Sequence, residues 1–120
     1  SVIKILQEKI DFFKTNSGMN SIDYNAMSGQ LMILNEKQQI LCQRNASKFD
    51  LFREFGVSEE DSQQIQVLLH QTSVQNKEFS VQIKAKVENK RQMYKLKLHT
   101  LWSSLKKDEY IGIIGYFDTI

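Results

Sequence analysis

Apolar side chains recur along the start of the chain at alternating spacings of three and four residues, the pattern of one helical face. The residues that follow it are Ile3, Leu6, Ile10 and Phe13. They predict a first helix over 1–14. A polar segment rich in turn and capping residues follows over 15–20, so we expect a loop or a helix break there.

The same apolar spacing resumes after this break and predicts a second helix over 22–55 with a polar middle. Gly56 ends this helix, because glycine readily adopts the left-handed conformation that closes a helix. The hydroxyl of Ser58 is suited to cap the next helix, and the acids at 59–61 complement the positive end of its dipole. We therefore expect a tight turn between two helices.

A third helix is predicted over 59–107, because the apolar spacing continues and the chain contains no proline to interrupt it. Such a helix would be roughly 73 Å long at 1.5 Å per residue. The β-branched residues around Thr72–Val74 are where we expect any kink. The predicted architecture is a single all-α domain over 1–120. It is an antiparallel three-helix bundle or coiled coil with one long C-terminal helix.

The last segment, over 108–120, differs from the rest in being rich in β-branched and aromatic residues, with Gly112 and Gly115 between them. These features predict a short apolar tail that is not helical, with the glycines as flexible joints. We expect the tail to fold back over the bundle as a flap. A partner-binding strand and an edge for self-association stay open as alternatives.

The chemical inventory excludes several classes of protein. A single thiol, Cys42, cannot form an internal disulfide, and with the distant His70 and His99 it cannot build a zinc site. We find no catalytic motif, no cofactor motif and no apolar run long enough to span a membrane. The sequence predicts a non-enzymatic cytoplasmic protein without cofactor or metal. Because the chain begins at Ser1 and not at Met, the missing leader carries little weight.

Basic residues concentrate in the segment 84–107, which holds half of the chain's 16 Lys and Arg against the single acid Glu88. On a helix they flank an apolar seam, which would suit an acidic amphipathic segment of a protein partner. An ordinary core face edged by lysine stems is the alternative. Nucleic acid and a membrane surface are weaker alternatives, because the basic residues straddle the seam and do not form one exposed face.

The predicted partner-binding residues come from the seam, its basic margins and the tail. They are Lys86, Lys90, Arg91, Tyr94, Leu98, Leu101, Trp102, Tyr110, Ile113, Tyr116 and Phe117. The apolar members would bury area, and the basic members would orient the partner.

Two stretches also resemble a known family. Leu31 to Leu41 (LMILNEKQQIL) is similar to the second-helix stretch of the FlgN-type flagellar export chaperones, and Ile111 to Gly115 (IGIIG) is similar to their terminal glycine motif. Gln75-Asn76 resembles an Asn-rich stretch of their long helix.

This resemblance implies a cytoplasmic helical chaperone of flagellar type III secretion. Such a protein would bind hook-filament junction subunits through their amphipathic segments and deliver them to the export apparatus. A self-associating structural coiled coil, as a homodimer, and a basic helical nucleic-acid-binding module are the alternatives.

Overall fold

The structure is a computed structural model and describes residues 2–15, 18–47, 50–103, 105 and 109–120. Within them the chain is dominated by β-strands. The elements are α1 (Val2–Thr15), β1 (Asn20–Asn25), β2 (Gln30–Leu34), β3 (Ile40–Asn45), the 3₁₀ helix η1 (Arg53–Phe55), α2 (Glu59–His70), β4 (Glu78–Val87), β5 (Lys90–Trp102) and β6 (Tyr110–Thr119). The predicted all-α bundle is therefore wrong.

The six strands form one sheet in the order β3-β2-β1-β6-β5-β4, and every neighbouring pair is antiparallel. β6 lies between β1 and β5, in the interior of the sheet. The segment predicted as a flap over 108–120 is thus non-helical, as expected, but it is an interior strand. Its β-branched and aromatic side chains suit a strand buried on both faces.

The inner face of the sheet carries the main hydrophobic core. Alternate residues of β4 and β5 point into this core, because successive side chains of a strand lie on opposite faces. They are Val81, Ile83, Ala85, Tyr94, Leu96 and Leu98. Ile65 and Leu69 of α2, together with Phe55 of η1, cover this face.

The outer face is covered in part by α1. Phe12 packs there in a second, smaller core with Leu101 and Ile114. α1 matches the helix predicted over 1–14 to within one residue at each end. Its predicted apolar face is only partly buried, because Phe13 packs against the smaller core but two other members do not. Leu6 and Ile10 are 53% and 57% exposed.

The turn before α2 confirms the local prediction. Gly56 adopts a left-handed conformation with φ of 66° and closes η1. The Ser58 hydroxyl accepts a hydrogen bond from the Asp61 N–H at 3.1 Å and so caps α2. Local capping chemistry decided this turn, although the element that precedes it is a single 3₁₀ turn and not a long helix.

The helix predicted over 22–55 is wrong, because that segment forms β1, β2, β3 and η1. Leu31 and Ile33 are two residues apart and both buried, which is the period of a strand. Tight turns separate the three strands, and Gly29 adopts a φ of 75° in the first of them. Lys48, inside the predicted helix, lies outside the described residues.

The helix predicted over 59–107 is also wrong after its first three turns. α2 ends at His70, and the Thr72 hydroxyl donates to the Leu69 carbonyl at 2.6 Å. The expected kink at Thr72–Val74 thus lies just past the end of α2. β4 and β5 follow as a hairpin. Lys106 and Lys107, near the predicted helix end, and Asp108, where the tail was predicted to begin, lie outside the described residues.

Gly112 and Gly115 permit close packing of strands, in contrast to the flexible joints expected. A Cβ atom on Gly115 would lie 2.6 Å from Cδ2 of Leu98 and 2.7 Å from the Lys97 carbonyl oxygen. A Cβ atom on Gly112 would collide with the Tyr24 carbonyl oxygen. Glycine is needed at both positions because neighbouring strands leave no room for a side chain.

Candidate functional site

A small apolar cavity lies between the inner face of the sheet and η1. Its volume is about 30 Å³, enough for one or two molecules of about the size of water but far below the several hundred Å³ of a drug-sized site. Its lining is aliphatic and aromatic throughout: Ile22, Ile33, Phe52, Phe55, Ile83, Ala85, Val87, Tyr94, Leu96 and Phe117. The cavity suits a very small apolar occupant.

A cluster of lysines lies on the outer face of β4 and β5, on the side opposite the cavity. Lys84, Lys86, Lys95 and Lys97 all occupy outward positions of these strands, and we call them the basic face. Met93 stands directly opposite Lys84 in the register and is 44% exposed. Among the described residues, Lys84, Lys86 and Lys95 make no ion pair, whereas Lys97 lies 3.6 Å from Glu78.

A network of charged side chains joins α1 to the outer face of the sheet. His99 Nε2 lies 2.9 Å from Glu8 Oε2, and His99 Nδ1 lies 3.1 Å from Glu78 Oε1. Lys77 Nζ lies 3.2 Å from Glu8 Oε1. The hydrogen bond from His99 is the main reason that the pKa of Glu78 lies below its ordinary value.

Other reactive side chains have structural surroundings. Burial raises the pKa of the Cys42 thiol, while nearby Arg44 lowers it to a smaller extent, so the thiolate is disfavoured. His70 Nδ1 lies 2.8 Å from the Gln66 carbonyl oxygen within α2. Across the described residues, no group of three or more His, Cys, Asp or Glu side chains is placed to hold a metal ion.

Five of the predicted partner-binding residues are core residues of the sheet. Tyr94, Leu98, Leu101, Ile113 and Phe117 are all less than 10% exposed. On a helix they would have formed a seam beside the basic residues. On the strands, Tyr94, Leu98, Ile113 and Phe117 point into the main core, whereas Leu101 lies in the smaller core under α1. Any partner-binding role would require them to leave the core.

The remaining predicted residues lie at the surface or at its margin. Lys86 and Arg91 are paired in the β4–β5 register, and the guanidinium of Arg91 reaches toward Gly56. Lys90 begins β5 at the hairpin turn. The three half-buried aromatic residues are Trp102, Tyr110 and Tyr116.

These aromatic residues pack within the fold. Trp102 donates from Nε1 to Oγ1 of Thr100 at 2.9 Å and meets the Tyr110 ring edge-on at 5.9 Å between centroids. Burial raises the pKa of the Tyr110 phenol. Tyr116 packs against Phe12, with ring centroids 6.1 Å apart. Their predicted partner-binding role stays a prediction.

The helical interpretation placed Lys84 and Lys95 on one margin of the seam and Lys86 and Lys97 on the other, so it missed that all four share one surface. The signal was present in the strict alternation of apolar and polar residues from Val81 to Val87, which is the period of a half-buried strand. The same residues also fit a helix, because every second apolar position of an alternating pattern is four residues from the next.

Comparison with known proteins supports a class of fold and not a family. No protein-family profile matches the chain, and no curated protein matches it. Its antiparallel sheet with helices on both faces is similar in fold to a solved sensory-box protein.

A particular similar structure is the crystal structure of a sensory box histidine kinase/response regulator from Burkholderia thailandensis E264. The TM-score is 0.56 at 9% sequence identity, and the match covers 93% of this chain and 84% of that one. At this identity the likeness concerns the fold alone.

These findings overturn the predicted export chaperone, and with it the structural coiled coil and the helical nucleic-acid module, because each requires a helical architecture. Nothing here supports the predicted role in type III secretion. The resemblance to FlgN-type chaperones stays a prediction that the comparisons do not test. Neither α-helix in the described part of the chain is long and apolar enough to cross a membrane.

Proposed function

We propose that this chain is a non-enzymatic sensory domain of the cytoplasm that responds to a very small apolar molecule. The cavity between the inner face of the sheet and η1 carries this proposal. All of its lining side chains are aliphatic or aromatic, and an apolar cavity of this kind favours an apolar occupant over water. The sensory-box fold of the neighbour is consistent with a sensing role.

The strands that line the cavity also contact α1 on the opposite face. Binding in the cavity can therefore be coupled to α1 through these strands. In β5, Leu96 lines the cavity and His99 contacts α1. In β6, Phe117 lines the cavity while the adjacent Tyr116 packs against Phe12 of α1. A displacement of these strands by an occupant would therefore change the packing of α1 against the sheet.

Catalysis is not part of the proposal. The pKa of the Cys42 thiol is raised by burial. Both ring nitrogens of His99 contact carboxylates, so neither is directed at a nucleophile. A sensory domain requires only that its occupied and empty states differ in shape or stability.

Xenon is a suitable probe because it is small, apolar and known to enter dry cavities. We expect xenon under pressure to shift the methyl NMR signals of Ile33 and Ile83. Ala85→Leu should abolish these shifts by filling the cavity. If this larger substitution impairs folding, the smaller Ala85→Val substitution is used in its place and should reduce the shifts. Val67→Leu, on the exposed side of α2, is the matched control. Absent shifts in the unmodified protein, or unchanged shifts in a folded Ala85→Leu variant, would overturn the proposal.

A further inference from the structure

We infer that the basic face and the adjoining free edge of β4 form a docking site for an acidic, extended segment of a partner protein. This site lies on the opposite side of the sheet from the cavity, so the inference is independent of the sensory role. It retains the acidic partner expected from the sequence but changes the surface that binds it.

The arrangement of charge is the first observation. Lys84 and Lys86 lie on the same side of β4, with Cα atoms about 7 Å apart by the rise of a strand. Lys95 stands on the neighbouring strand, opposite Gln82 in the register. On its other side, Lys95 is opposite Asp118 of β6 in the register, and the described residues place no carboxylate within ion-pair distance of Lys84, Lys86 or Lys95. The face is therefore complementary to a row of carboxylates.

The edge of the sheet is the second observation. Among the described strands, β4 pairs only with β5, so its other side has no partner strand over its ten residues. The Thr100 N–H donates to the Lys77 carbonyl. The backbone N–H and C=O groups of the odd-numbered residues of β4 therefore point toward β5. The even-numbered residues then direct their backbone N–H and C=O groups outward.

The acceptor found at this edge is a carboxylate. The Lys84 N–H points to Oδ2 of Asp61, at the start of α2, at 3.4 Å. An added strand would supply carbonyl acceptors along the same edge. Because its side chains alternate, every second residue would lie over the basic face. The expected partner segment is therefore extended, with acidic residues at alternate positions.

Other polyanions fit the site less well. A nucleic acid cannot supply the alternating backbone donors and acceptors that the β4 edge matches. Single-stranded nucleic acid also uses exposed aromatic rings for stacking. Within the described residues, the ring that borders this face is Tyr116, which already packs against Phe12 and lies 5.9 Å from the Lys97 ammonium.

The test uses a fluorescein-labelled peptide of alternating Glu and Thr, with fluorescence anisotropy at low and at physiological salt. We expect binding that weakens about tenfold in the protein variant Lys84→Glu/Lys95→Glu. The control variant Lys4→Glu/Lys37→Glu makes the same change in net charge away from the site and should retain binding. Circular dichroism establishes that both variants are folded.

Two further probes separate the mode of binding from simple charge attraction. A peptide with N-methyl groups on alternate backbone nitrogens should bind about tenfold more weakly, because it cannot complete the edge hydrogen bonds. Equal binding of this peptide, or equal loss in the control variant, would overturn the inference. So would tighter binding of an oligodeoxythymidine of the same charge or of phosphatidylserine vesicles.

Discussion

His99 and Glu8 are 91 residues apart in the sequence, yet His99 Nε2 lies 2.9 Å from Glu8 Oε2. His99 belongs to β5 and Glu8 to α1, so the contact joins the first element of the chain to the outer face of the sheet. Because Glu78 binds the other ring nitrogen at 3.1 Å and an ionised carboxylate only accepts hydrogen bonds, both contacts are satisfied when the imidazole carries both protons.

Glu8→Gln should loosen α1 without unfolding the sheet. The variant weakens the contacts to His99 and Lys77, so we expect it to lower the stability of α1 docking by about 1 kcal/mol. Hydrogen exchange of α1 amides should accelerate while the amides of β5 and β6 stay protected. Glu54→Gln is the control, because it weakens a surface ion pair with Arg44 whose side chains are more than half exposed. Equal effects of the two substitutions would contradict a specific role for Glu8.

Glu78 should contribute to an acid-sensitive part of the stability. Its folded-state pKa is lowered from 4.5, first by the hydrogen bond from His99. Its stabilising contribution is therefore present above the unfolded-state pKa and is lost as the pH falls through the folded-state pKa. We expect Glu78→Gln to flatten the decline of unfolding free energy below about pH 4.5. The control is Glu36→Gln, in the exposed β2–β3 turn, which should leave the decline unchanged. A Glu78→Gln stability curve that declines as steeply as that of the unmodified protein would refute this assignment.

Gly115→Ala should destabilise the sheet at its centre. Its Cβ atom would meet the Lys97 carbonyl oxygen at 2.7 Å, and backbone cannot retreat without disturbing β5–β6 pairing. We expect a loss of about 2 kcal/mol in unfolding free energy, measured by urea denaturation. Gly18→Ala is a useful comparison, because that position has open space but a φ of 84° and should lose about 1 kcal/mol. A neutral Gly115→Ala variant would show that the strands separate easily.

Phe55→Ala should test the packing of η1 over the inner face. Phe55 is 9% exposed and lines the cavity, so its removal should lower unfolding free energy by about 3 to 5 kcal/mol. Ile40→Ala removes an apolar side chain that is 57% exposed, and its effect should be small. Comparable losses from the two variants would indicate that η1 is not packed against the sheet.

Cys42 should react slowly with thiol reagents in the folded protein. Burial raises its pKa, so at pH 7.5 a smaller fraction is thiolate than in the unfolded chain. The rate of modification by iodoacetamide should increase when urea unfolds the protein. A folded-state rate equal to that in urea would indicate an accessible, unperturbed thiol.

Local signals in the sequence were sufficient for some elements. The apolar spacing from Leu6 to Phe13 corresponds to α1, and the cap at Ser58 marks the start of α2. These features depend on neighbours within four residues, which the sequence displays directly. The face that α1 buries was not predictable in this way, because Glu8 and Phe12 meet residues of β5 and β6.

The candidate surfaces were only partly predictable. The concentration of basic residues from Lys84 onward was visible, and Lys86 was selected from it. Their assembly into one face required a strand, because alternation separates Lys84 from Ile83 whereas a helix places both near one seam. The cavity could not be foreseen, since Ile22, Phe52 and Phe117 come together only across the folded sheet.

The sequence alone determined the capped turn at Gly56 and Ser58 and the non-helical character of the last apolar segment. Tertiary structure decided where that segment belongs, because β6 pairs with β1, about 90 residues earlier in the chain, and with β5. The absence of proline permits long helices, but it equally permits long, unbroken strands such as β5. Long-range backbone pairing selected the strands.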